Sequence, residues 1–119
     1  MAVKDYSAHF RELVEEQLPD DARILMPRGG ADLMILVTWL LHSDPQRPSK
    51  RSRLVRILIT EEALQDYDAS TEAARLTSDR RCEIWVQLHL AAFDPDHEAP
   101  LGVEPPAVTW KLGTAELNG

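Results

Sequence analysis

The chain has 119 residues, 44% of them hydrophobic, with 13 Lys and Arg against 20 Asp and Glu for a formal net charge of −7. That size and apolar content predict a single domain, 1–119, that needs no metal or disulfide staple, and the one cysteine, Cys82, excludes an internal disulfide and fits a reducing, cytoplasmic setting. A net anion repels phosphate, which argues against general nucleic-acid affinity; charges near the N-terminus argue against a signal peptide, and the longest apolar run, 33–41, is about half a bilayer span.

Tyr6, Phe10, Leu13, Val14 and Leu18 recur at the helical period, with Arg11, Glu12, Glu15 and Glu16 between them. This predicts an amphipathic helix over 3–18, stopped by Pro19. Residues 22–28 read as a short strand, Gly29-Gly30 as the turn, and 33–42 as a second strand, a hairpin in which both glycines are free to take positive φ. Along the second strand Leu33, Ile35, Val37, Trp39 and Leu41 share one face, yet Met34, Leu36 and Leu40 make the other face apolar too. A strand of this kind asks for cover on both sides.

A loop over 43–52 carries two prolines, and Val55, Ile57 and Ile59 then alternate in a third strand over 53–60. Thr60 ahead of Glu61-Glu62 is a helix start, with a capping hydroxyl and two carboxylates at the positive end of the dipole. The helix breaks near 68–70. Residues 82–93 fit two periods. As a strand, Cys82, Ile84, Val86, Leu88, Leu90 and Ala92 would lie on one face; as a helix, Ile84, Trp85, Leu88, Ala91 and Ala92 form one stripe and Cys82, Val86, Leu90 and Phe93 an opposite one. The Glu, Arg, Gln, Leu and Ala content from Thr71 onward favours the helix, with Asp94-Pro95 as its stop. Four prolines make 94–106 an extended surface crossing, and Val108, Trp110 and Leu112 alternate in a last strand before a frayed tail. The whole predicts an α+β fold: an antiparallel sheet of about four strands with two or three helices on one face, in the order α-β-β-β-α-(α)-β.

No glycine-rich phosphate loop, zinc motif, Cys-x-x-Cys or nucleophile elbow is present, which argues against a familiar enzyme class and leaves no cofactor, metal or catalytic residue to name. The sharpest local feature is the basic run in 47–56, where Arg47, Lys50, Arg51, Arg53 and Arg56 offer guanidinium and ammonium groups to an oxyanion. The bland alternative is a solvated loop and edge strand. Asp94, Asp96, His97 and Glu98, with His89 in reach, crowd oxygen and nitrogen ligands together, but acids beside prolines are ordinary surface composition. The histidines His9, His42, His89 and His97 are scattered. Cys82 reads as a small buried hydrophobe, and Trp39, Trp85 and Trp110 as core or interface residues.

Three functional classes follow. The first is a non-enzymatic interaction or regulatory module acting as a homodimer, with another protein as the alternative partner, through surplus apolar surface at Met34, Leu36 and Leu40 or at Val86, Leu90 and Phe93. The second is a local anion or nucleic-acid binder using the basic run. The third is an enzyme or small-ligand protein whose pocket no motif marks.

Overall fold

Alternation along 33–41 sets the architecture. In the computed structural model, which describes residues 5–27, 30–41, 46, 50–96, 100, 103 and 105–118, the strands β1 (Arg23–Leu25), β2 (Leu33–Thr38), β3 (Val55–Ile59) and β4 (Val108–Leu112) form one sheet in that spatial order. Helix α1 (Ser7–Glu15) precedes β1, α2 (Glu61–Ala69) and α3 (Glu72–Ala92) connect β3 to β4, and a short α4 (Thr114–Leu117) follows. The class is α+β, with the element order the sequence predicts.

Register explains which side chains share a face. Ile35 stands beside Ile57, which stands beside Trp110, and Leu33, Ile59 and Leu112 form a parallel row. These rows join Phe10 and Val14 of α1, Tyr67 of α2, Cys82 and Val86 of α3 and Leu117 of α4 in one contiguous core. All four helices therefore sit on the same side of the sheet. At about 25 cal/mol per Å² of apolar surface removed from water, this cluster is the principal stabilising feature of the chain.

β1, β2 and β3 form an antiparallel meander, but β4 runs parallel to β3, so the sheet is mixed rather than antiparallel throughout. The two-helix crossover is the reason: a strand reached by such a crossover can pair in the same direction as the one it left. Thr60 and Thr71 each take an extended N-cap conformation and accept a hydrogen bond from Ala63 N (3.2 Å) and Ala74 N (3.1 Å). The expected break between the helices is the extended pair Ser70 and Thr71.

Residues 82–93 are helical almost to their end, and α3 stops at Phe93 ahead of Asp94-Pro95. Helix α1 is shorter than 3–18: past Glu16 the backbone tightens into bonds from Gln17 to Val14 and from Leu18 to Glu15. The expected frayed tail is instead the α4 turn, because Leu117 is buried in the core, Asn118 Nδ2 donates to Ala63 O (3.1 Å) and Gly113 N donates to Glu116 Oε2 (3.0 Å). Gly30 takes φ of +86°, the left-handed conformation expected of the glycine turn; Arg28 and Gly29 lie outside the described residues. Among the described residues no helix is long and apolar enough to cross a membrane.

Candidate functional site

The face of the sheet turned away from the helices is the most distinctive surface. Pleating sends Met34 and Leu36 of β2 outward while Ile35 and Val37 point to the core. Pairing then places Leu36 between Leu25 and Arg56, with Thr109 beyond, and Met34 beside Leu58, with Lys111 beyond. Arg23 pairs with Thr38 on the same face. Leu25, Arg23, Arg56 and Lys111 are exposed, while Met34, Leu36 and Leu58 are half-buried in the hollow between them. The result is an apolar strip flanked by cations.

Charge is segregated between the two layers. The four strands carry Arg23, Arg56 and Lys111 and no carboxylate, whereas the four helices carry ten carboxylates and four arginines. One end of the open face dips into a shallow depression of about 250 Å³ lined by Pro27, Gly30, Ala31, Asp32, Met34 and Leu58. Asp32 is the only ionisable group among these, and its Oδ1 accepts from Glu61 N (2.8 Å) at the start of α2. That depression offers an apolar recess and no acid–base pair.

Among the described residues the basic run does not form one patch. Backbone bonds from Leu41 N to Lys50 O (2.8 Å) and from Ser52 N to Trp39 O (2.7 Å) continue the sheet past the end of β2, and this pins the residues that follow the loop. Lys50, its side chain only 7% exposed, donates through Nζ to Asp96 Oδ1 at 2.6 Å. Arg51 donates to Thr38 Oγ1 (3.0 Å), Thr38 O (2.9 Å) and Asp21 O (3.4 Å); burial, and after it the neighbouring Arg23, holds its guanidinium below the usual value. Arg53 Nε donates to Asp96 O (3.1 Å). Arg56 alone of these four stands exposed, on the open sheet face, and Arg47 lies outside the described residues. Lys50, Arg51 and Arg53 fasten the crossing after α3 and the end of β2 to the fold.

Of the acidic stretch, Asp96 is held by Lys50, while His97 and Glu98 lie outside the described residues, as does His42. His89 Nδ1 is within hydrogen-bond distance of Trp85 O (2.8 Å), in its own helix. Among the described residues no group of three or more His, Cys, Asp or Glu could hold a metal ion.

The interface residues expected on 82–93 face inward. Val86 is fully buried, Leu90 packs against the core, and Phe93 stands edge-on to both Trp39 (6.0 Å) and Trp110 (5.3 Å). The core thus takes up that stripe, and the three tryptophans converge through it, Trp85 on Trp110 at 6.5 Å. Of the opposite stripe Trp85 also turns to the core, while Ile84 and Leu88 are 41% and 65% exposed, and Leu76, earlier in α3, is 67% exposed. Met34, Leu36 and Leu40 all lie on the open side of the sheet.

One cluster escaped the sequence entirely. Tyr67 Oη donates to Asp79 Oδ1 (2.8 Å), and His9 Nε2 lies 2.9 Å from the same carboxylate oxygen and 3.0 Å from the hydroxyl. Beside it Tyr6 Oη donates to Asp68 Oδ1 (2.6 Å) and packs edge-on to Tyr67 at 4.9 Å. Burial, and then the Asp79 hydrogen bond, pushes the Tyr67 hydroxyl well above its ordinary value, so it remains a protonated donor. The arrangement latches α1 to α2 and α3. Helical periodicity marks Tyr6 and Phe10 as core, but nothing in the sequence links His9 to Asp79, seventy residues away.

No protein-family model, curated protein or solved structure compared with this chain matches it.

Proposed function

We propose that this chain is a non-enzymatic interaction module whose working surface is the open face of its sheet. One observation carries the reading: β2 is apolar on both faces, and among the described residues the helices cover only one of them. Apolar side chains left in water at Leu25, Leu36 and Leu58 give up the burial free energy that a docked partner restores, at about 25 cal/mol per Å². An apolar strip left partly in water, with Leu25 exposed at its edge, is the ordinary mark of such a surface.

The test is an apolar fluorescent anion, anilinonaphthalene sulfonate, added to the folded protein. Fluorescence should rise, the methyl resonances of Leu25, Leu36 and Leu58 should shift, and the double change Leu25→Ser and Leu36→Ser should abolish both at an unchanged melting temperature. A silent dye would remove the open face as an accessible surface.

A homodimer is the second reading, and α3 is the surface that favours it. Leu76, Ile84 and Leu88 project from one side of a single 21-residue helix, and antiparallel packing on the same stripe of a second copy would satisfy a two-fold axis. The open sheet face suits a two-fold dimer less well, because it would set Arg23, Arg56 and Lys111 against their own copies. Sedimentation equilibrium at micromolar concentration decides this: a dimer that Ile84→Glu dissociates supports it, and a monomer removes it.

A further inference from the structure

Resting on the reading of the open face as a docking surface, we infer that its partner is an acidic, leucine-bearing segment of another protein, one that sets carboxylates on Arg23, Arg56 and Lys111 and an apolar side chain in the depression beside Met34 and Leu58. Charge complementarity is the first argument. In a chain of net charge −7, every ionisable residue in the four strands is a cation, and all three point to this face. Ten carboxylates sit in the helical layer, and the carboxylate that lines the depression, Asp32, is engaged by the backbone N–H of Glu61. An approaching acidic segment meets three cations with no strand carboxylate beside them, and a basic one meets repulsion.

Shape is the second argument. The apolar residues are recessed: Met34, Leu36 and Leu58 lie half-buried between the cations, and the depression of about 250 Å³ opens at their end. A recess receives an anchor side chain, the arrangement found at the energetic centre of protein interfaces. A nucleic acid fits less well. No aromatic residue projects from these strand positions for a base to stack upon, and the apolar strip has nothing to offer a phosphate. An anionic membrane calls for apolar side chains that protrude, and of this strip only Leu25 does.

The experiment uses the full chain and two synthetic twelve-residue peptides, one alternating leucine with glutamate and the other leucine with lysine. Polyglutamate, single-stranded DNA and phosphatidylserine vesicles are the further probes, each titrated at 50 and 300 mM salt and followed by amide resonances. The expected result is saturable binding of the glutamate peptide with shifts confined to β1–β4 and the depression. The lysine peptide should bind at least ten-fold more weakly, and the glutamate peptide ten-fold more weakly to the double variant Arg56→Gln, Lys111→Gln at an unchanged melting temperature. Equal binding of both peptides at the face overturns the acidic partner but leaves the docking surface standing. Binding of polyglutamate, DNA or vesicles as tight as that of the glutamate peptide overturns it in favour of charge alone, nucleic acid or membrane. No binding by either peptide also overturns it, and the dye experiment then judges the docking surface by itself.

Discussion

The two faces of the sheet begin from the same material and end as opposites. On β2, Ile35 and Val37 are buried beneath the helices, while Met34 and Leu36, no less apolar, stay half-exposed behind the sheet. The difference comes from the neighbouring strands. Beside Leu36 stands Arg56, and beyond Leu58 stands Lys111, so each of these outward rows pairs apolar residues with a cation while the inward rows are uniformly apolar. Helices cover the face on which every strand is apolar, because only there does burial leave no charge to desolvate. One strand read alone overstates the surface that must be covered; the sheet read together shows which side stays open.

The comparison can be broken by substitutions on either face. The largest effect is expected from Ile57→Ala in the covered row, where a side chain 1% exposed leaves a cavity and the loss should be about 2–5 kcal/mol by urea unfolding. An alkaline titration reports the same covered side. Burial, then Asp79 and Glu83, pushes the Cys82 thiol from 9.0 up to about 12. Because the folded value lies above the unfolded one, stability is intact below pH 9 and falls as pH rises towards 12, by at most about 1.4 kcal/mol per pH unit for this site. Cys82→Ala should make that fall shallower, and the native thiol should resist labelling until denaturant is added.

Tyr67→Phe tests the latch under the same face: it removes the donor to Asp79 and should destabilise by about 1–3 kcal/mol, with faster amide exchange in α1. Lys50→Met should cost less, about 1 kcal/mol, because its partner Asp96 keeps 48% of its side chain in water; its signature is faster exchange over 94–96 with the core unchanged. Smallest of all is Leu25→Ser on the open face, expected within about 0.5 kcal/mol of the original. A loss there of 2 kcal/mol or more would mean that the two faces do not differ as described.

The candidate surface was half legible in the sequence. Met34, Leu36 and Leu40 stand out by alternation alone, since period two needs no knowledge of the rest of the chain. Their setting does not, because Lys111 and Leu25 reach the strip only through pairing across the sheet. The basic run misled for a related reason. As a string, Lys50, Arg51 and Arg53 look like a free cationic loop, but each has a partner far away in sequence, Asp96 for two of them and Thr38 with Asp21 for the third. Likewise Val86, Leu90 and Phe93 read as surplus until Trp39 and Trp110 arrive beside them.

What the amino-acid order determined by itself is the set of local elements: the hydroxyl cap at Thr60, prolines that stop α1 and α3, alternation in β2 and β3, and from these the α+β class and element order. Those signals act within a turn of helix or a few strand residues, where backbone sterics and side-chain hydrogen bonds are already decided. Tertiary structure alone decided that β4 joins in parallel, that Val86, Leu90 and Phe93 of α3 are core while Ile84 and Leu88 are not, that His9, Tyr67 and Asp79 meet, and that among the described residues the helices leave one basic, apolar face of the sheet uncovered. Each of these depends on contacts between residues dozens of positions apart, fixed only when the whole core settles on the arrangement that buries apolar surface without stranding a charge.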